Sequence, residues 1–171
     1  FPFPARDLMH IQPGESVGMI TSRGCSYGCV FCASSAFWQS IRFHSAEYVV
    51  AEIKQIVEQH HTSHIYMWDD LFVADRKRVE RILALLQQEP RLRRIRYSVT
   101  CRANLATDEL ARLLKEMNVV EAMFGLESMS PDTLAYLKPR VTVDQNREAV
   151  DVFHRNGIRV TGFFVIGSPQ E

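Results

Sequence analysis

Short apolar runs alternate with amphipathic stripes along nearly the whole chain. Residues 17–21 form a brief apolar run and predict a first strand. From about Ser45 onward, Val49, Val50, Ile53, Ile56 and Val57 recur at helical spacing and predict a helix. Residues 64–68 read as a second strand. A helix starting near Asp75 would gather Val79, Ile82, Leu83 and Leu86 on one face, and residues 96–100 read as a third strand. Thr107 is a good N-cap for a helix carrying Leu110, Leu113, Leu114 and Met117. Residues 119–125 follow as a fourth strand. Ser130-Pro131 places proline at the first position of a short helix. Thr142 and Gln145 have capping-box spacing for another, which ends near Asn156-Gly157. Residues 158–166 read as a fifth strand.

Five strands alternating with helices imply right-handed βαβ units, a parallel sheet and an α/β fold. In such folds the active site gathers at the C-terminal ends of the strands. The unusual residues fall there: the cysteine loop after strand one, Asp69-Asp70 after two, Cys101-Arg102 after three, Gly125-Leu126-Glu127 after four and Gly167-Ser168-Pro169 after five. Residues 1–15 read as a linker and residues 16–171 as one domain. The chain stops soon after strand five, so the domain is expected to be incomplete at that end.

Composition narrows the function class. Lys+Arg and Asp+Glu both number 20, a net charge of zero, which gives no strong nucleic-acid signal. The basic run at residues 91–96 lies between a helix and a strand and reads as a solvated connection. No apolar run approaches the roughly 20 residues needed to span a bilayer. No secretory leader is visible, so no membrane partner and a cytoplasmic location are expected.

The chemistry centres on Arg-Gly-Cys-Ser-Tyr-Gly-Cys-Val-Phe-Cys, which holds Cys25, Cys29 and Cys32 as C-x3-C-x2-C. Thiolates suit zinc or an iron–sulfur cluster. Three of them can hold a metal group and leave one position open. A structural zinc site, or a cluster serving only electron transfer, would want a fourth ligand. The next histidine is His44, and the remaining cysteine is Cys101 at the end of strand three. Three cysteines crowded within eight residues are a poor disulfide framework. Gly24 and Gly28 let the backbone wrap closely. Cys101 is expected to be a small buried hydrophobe. His60, His61 and His64, at a helix end and a strand start, read as solvated or dipole-favoured residues away from the site.

Cys25, Cys29, Phe31 and Cys32 match the C-x3-C-x-aromatic-C signature, and the sequence resembles the radical S-adenosylmethionine (SAM) superfamily. The Thr21-Ser22-Arg23-Gly24-Cys25 lead-in is similar to its Elp3- and MiaB-like subgroup. Trp68-Asp69-Asp70 stands where the family has a Gly-Gly-Glu-like motif. Gly125-Leu126-Glu127-Ser128 resembles its Gly-x-Glu-Ser, and residues 162–171 resemble the strand-five motif ending in Gly-x-Pro-x-Glu. The resemblance covers about residues 15–171 and departs where Asp69-Asp70 replaces glycines.

That resemblance implies a partial (βα)6 TIM-like barrel, here of about five βα units. It implies a [4Fe–4S] cluster held by Cys25, Cys29 and Cys32, with SAM on the fourth iron. Reductive cleavage of SAM would yield a 5′-deoxyadenosyl radical, with no catalytic side chain beyond cluster and cofactor. The cofactor-binding candidates are Phe31 against the adenine, and Asp69 and Asp70 for the SAM ammonium. Glu127 is a candidate for the ribose or methionine end. Arg140 (Lys138 as its alternative) and Arg102 are candidates for the carboxylate, and Gly167 for close backbone approach. Phe37 and Trp38 are expected to pack over the cluster. A flavodoxin- or ferredoxin-type electron donor is implied. Phe3-Pro4-Ala5-Arg6-Asp7-Leu8 is similar to the stretch before the radical core in members with an upstream cobalamin-binding domain. It points to cobalamin-assisted methyl transfer through a domain outside this chain. Methylthiolation or another radical rearrangement is the runner-up.

Overall fold

Ser45, Asp75, Thr107, Ser130 and Thr142 each turn a side-chain oxygen onto a backbone N–H three residues on, and each opens a helix. This is the arrangement in a computed structural model of the protein, which describes residues 1–169. The helices are α1 (Ala33–Phe37), α2 (Ala46–His60), α3 (Arg76–Gln87), α4 (Asp108–Glu116), α5 (Pro131–Leu137) and α6 (Val143–Arg155). Thr142 and Gln145 form a complete capping box.

The strands are β1 (Val17–Met19), β2 (Ser22–Arg23), β3 (Arg42–Phe43), β4 (His64–Met67), β5 (Arg96–Cys101), β6 (Val119–Glu127) and β7 (Arg159–Phe164). Five of them form one sheet in the order β1-β4-β5-β6-β7, and every pairing is parallel. The register sets Val17 beside Ile65 and Tyr97, and Met19 beside Met67 and Val99. These residues pack with Val49, Ile53, Ile56, Val79, Ile82, Leu114 and Phe153 of the helices, so the core lies between sheet and helices.

The alternating positions line the other face and are largely polar. Glu121 accepts from Ser98 Oγ at 2.8 Å and Thr161 Oγ1 at 2.7 Å, with Arg159 Nε at 3.4 Å. His64 Nε2 lies 2.9 Å from Ser98 Oγ, and His64 Nδ1 lies 3.3 Å from Ser16 Oγ. The Ser98 proton goes to the carboxylate, so His64 donates from Nε2 and accepts at Nδ1. Burial, then Arg96, hold His64 below the usual imidazole range. Burial pushes Glu121 up, but its hydrogen bonds from Thr161, Ser98 and Arg159 outweigh this and leave it below the carboxylate range. His64 is therefore not a solvated bystander, because the strand's alternation turns it inward. His60, unlike the partly exposed His64, is buried, and its carbonyl accepts from Gly14 N–H at 2.9 Å. His61 is the exposed, left-handed C-cap of α2.

Three local features differ from the expectation. The first strand ends at Met19 because Thr21 and Ser22 are drawn away by Asp69. A two-stranded antiparallel ribbon, β2 with β3, and the short helix α1 follow it. The fourth strand runs on to Glu127. Ahead of the sheet, Arg6 is buried, donates to the Gly18 carbonyl at 3.2 Å and pairs with Glu52 at 2.6 Å. Arg6 thereby ties this N-terminal segment to β1 and α2.

Candidate active site

The cysteine loop exists because the chain leaves the sheet abruptly after β1. Asp69, only 2% exposed, accepts from Thr21 N–H at 2.5 Å, Thr21 Oγ1 at 2.5 Å and Ser22 Oγ at 2.7 Å. Arg78 donates from Nη2 to the Thr21 carbonyl at 2.8 Å and from Nε to the His44 carbonyl at 3.0 Å. The chain is thus turned into the β2/β3 ribbon, and the cysteines lie in the long connection across its end. Gly24 takes φ +90° there, and a Cβ on it would stand 2.8 Å from the Ser40 carbonyl oxygen. Only glycine lets the ribbon close at that point.

Asp70 braces both sides of the loop. Its Oδ2 accepts from Gly24 N–H at 2.8 Å, just before the first cysteine, and from Ser34 Oγ at 2.8 Å, just after the last. The far side is docked by Val30 N–H donating to the Leu137 carbonyl at 3.1 Å. Cys25, Cys29 and Cys32 are free thiols and half-buried. Burial pushes the Cys25 thiol up, against a backbone hydrogen bond from Tyr27 and the charge of Arg102. Cys101 is buried within the core, which drives its thiol far above the ordinary range.

Arg102, at the end of β5, reaches this loop. Its Nη1 donates to Cys29 Sγ at 3.2 Å, its Nη2 to the Pro139 carbonyl at 2.9 Å and its Nε to Asn104 Oδ1 at 2.9 Å. The bulge that ends β6 brings in the next group. The register against β7 shifts between Gly125 and Glu127, and Glu127 adopts φ +62°. Its buried carboxylate folds back over Gly125 and meets Lys138 Nζ at 3.3 Å, while Lys138 also donates to the Gly125 carbonyl. Burial holds the Lys138 ammonium below its usual range, with Glu127 opposing.

The cysteines, Asp70, Arg102, Glu127 and Lys138 therefore share one face, at the C-terminal ends of the strands. Arg140 is exposed in a left-handed conformation, so the chain turns Lys138 inward and Arg140 outward. Asp69 is turned onto the chain's own backbone. Phe31 is 47% exposed at the loop tip. Gly167 adopts φ +83° beyond β7, and Glu171 lies outside the described residues. Phe37 and Trp38 pack on each other and on the ribbon, with Arg42 4.7 Å from the Trp38 ring centroid. Tyr27, Ser34 and Asn104 were not singled out by sequence reasoning; only their nearness to Cys25, Cys32 and Arg102 along the chain hinted at them.

The Radical SAM superfamily profile matches residues 19–171. The chain belongs to the radical SAM superfamily. Along 99% of its length this radical SAM chain is 32% identical to an uncharacterised methyltransferase of Pyrococcus horikoshii, and it spans 38% of that relative. Among solved structures it is similar to the cobalamin-dependent radical SAM enzyme OxsB with aqua-cobalamin bound. The TM-score is 0.80 at 22% identity, covering 87% of this chain and 23% of that one. The radical SAM methyltransferase TsrM of Kitasatospora setae, with cobalamin and a [4Fe–4S] cluster, gives a TM-score of 0.81 at 20% identity, covering 92% and 32%. These likenesses establish the fold as a parallel barrel-type sheet of the radical SAM kind.

The donor set fits the family's cluster. Three free thiols stand on one loop, and a guanidinium N–H is aimed at one of the sulfurs. Such a donor suits a thiolate, because a thiol sulfur is a weak acceptor. Among the described residues, no three His, Cys, Asp or Glu side chains stand close enough together to hold a single metal ion, so the fit rests on the thiol chemistry of the loop. Among them, no helix is long and apolar enough to cross a membrane.

Proposed function

We propose that Cys25, Cys29 and Cys32 ligate a [4Fe–4S] cluster that binds SAM, and that the whole protein transfers a methyl group with cobalamin held outside this chain. The observation that carries the first part is the braced loop, with three half-buried thiols held by Asp70 on one side and Arg102 on the other. When bound, the cluster and SAM supply the reductive cleavage of a carbon–sulfur bond, and the protein supplies position and shielding.

The residues divide that labour. Asp69 and Arg78 fix where the ribbon starts, so Asp69 supports the loop rather than touching the cofactor. Asp70 ties the loop's two ends. Glu127 and Lys138, buried as a pair, offer a carboxylate and an ammonium to the polar groups of SAM. Phe31 is free to cover the adenine, and Gly167 allows its backbone to come close. A one-electron donor of the flavodoxin or ferredoxin class supplies the reductant. The methyl-transfer reading is supported by the named methyltransferase relative and by the cobalamin-containing structural neighbours.

Incubating the full-length, anaerobically reconstituted protein with SAM and reductant tests both parts. SAM cleavage predicts 5′-deoxyadenosine, and methyl transfer predicts S-adenosylhomocysteine that depends on cobalamin. The first product without the second would overturn methyl transfer alone. Neither product from a fully loaded protein would overturn both.

A further inference from the structure

Arg102 is 5% exposed, and all three of its guanidinium nitrogens donate: to Cys29 Sγ, the Pro139 carbonyl and Asn104 Oδ1. Its flat face lies 3.9 Å from the Tyr27 ring centroid, and Asn104 Nδ2 donates to Tyr27 Oη at 3.2 Å. The two Asn104 bonds fix the amide's orientation, and the ring fixes the guanidinium plane. Arg102 is locked.

What it lacks is a carboxylate. Among the described residues none forms an ion pair with it, although a buried cation without an anionic partner is costly. Of the three groups it donates to, only the Cys29 sulfur is able to become an anion. A thiolate there, ligating metal, would complete the arrangement with a charge-assisted bond.

We propose that Arg102 tunes the cluster's redox potential, donating to the Cys29 thiolate so that the bound cluster is easier to reduce. The proposal rests on ligation by the three cysteines. Reduction adds one electron from the external donor, and no bond forms or breaks. The cluster with its ligands becomes one charge more negative. A fixed cation 3.2 Å from a ligating sulfur favours that state, and burial keeps water from screening it. Arg102 is thus a positioning and tuning residue, clamping the loop through Tyr27 while setting the charge beside it.

The test is a redox titration of the full-length, reconstituted protein, followed by the EPR signal of the reduced cluster. For Arg102→Gln the ratio of reduced to oxidised cluster at fixed potential should fall about tenfold, a negative shift of about 59 mV for a one-electron couple. Arg102→Lys should lie between it and the wild type, with iron and sulfide per chain unchanged. An Arg102→Gln protein with a full cluster and wild-type potential overturns the proposal and leaves the ligation reading intact. A wild-type protein that takes up no iron and sulfide overturns both. Should Arg102→Gln fail to fold or load, the wild type still decides. Protein labelled with 15N-arginine should show 15N coupling to the reduced cluster by pulsed EPR, and its absence overturns the proposal.

Discussion

Asp69 and Asp70 are neighbours in the chain, yet their carboxylates do different work. Asp69 is buried and takes three donors from Thr21 and Ser22, so it ends β1 and starts the ribbon. Asp70 is exposed and ties Gly24 to Ser34 across the cysteines. Asp69→Ala leaves a buried backbone N–H and two hydroxyls without their acceptor. Each such loss costs about 1–3 kcal/mol. Partial rescue by water leaves an expected destabilisation of about 3 kcal/mol, read as a lower urea midpoint at unchanged m-value. A change under about 0.5 kcal/mol would contradict the role given to Asp69. Both aspartates were visible in the sequence as acids at a strand end. Which one faced inward was not, because that depends on Thr21, 48 residues away.

At the scale of elements, two ion pairs hold different seams. Arg6 and Glu52 are both buried, and Arg6 also takes the Gly18 carbonyl on the open edge of β1. Removing one partner strands a buried charge, so Arg6→Ala should cost about 3–5 kcal/mol. The double variant Arg6→Met with Glu52→Leu should recover much of that in chemical denaturation, and equal losses in single and double variants would contradict the account. Asp108 and Arg155 join α4 to α6 on the exposed side at 2.6 Å. Hydrogen bonds from Arg155 and Asn156 hold Asp108 at about 2, below its ordinary 3.8. The folded state therefore resists protonation longer than the unfolded chain does. The pair's contribution is complete above pH ~4 and fades as the pH falls toward ~2. The gap in thermal midpoint between wild type and Asp108→Asn should be flat from pH 7 to ~4 and close below it; a gap that widens below pH ~4 would contradict this. The helices were legible because caps and periodicity are local. The ribbon was not, because Ser22 and Arg23 carry no readable period and pair with Phe43 and Arg42, well down the chain.

For the whole molecule, the parallel sheet explains why distant motifs meet. Strands β1, β4, β5, β6 and β7 lie side by side in chain order, so the loop after each opens on the same face. The βαβ pattern gave that much from sequence, as did the cysteine spacing. What it could not give was the clamp between Arg102 and Cys29, 73 residues apart, or the inward turn of Lys138. Both depend on how the Pro139 turn and the β6 bulge fold back. The polar network from Ser16 to Thr161 across the inner face was hidden for the same reason. This face is proposed to hold a cluster with one iron open to SAM. The most direct test is the EPR spectrum of the reduced, reconstituted full-length protein with and without SAM. The account predicts a [4Fe–4S] signal, lost in the Cys25→Ala, Cys29→Ala and Cys32→Ala variants, whose g-values shift when SAM is added. A fully loaded wild-type cluster with a spectrum indifferent to SAM would contradict it.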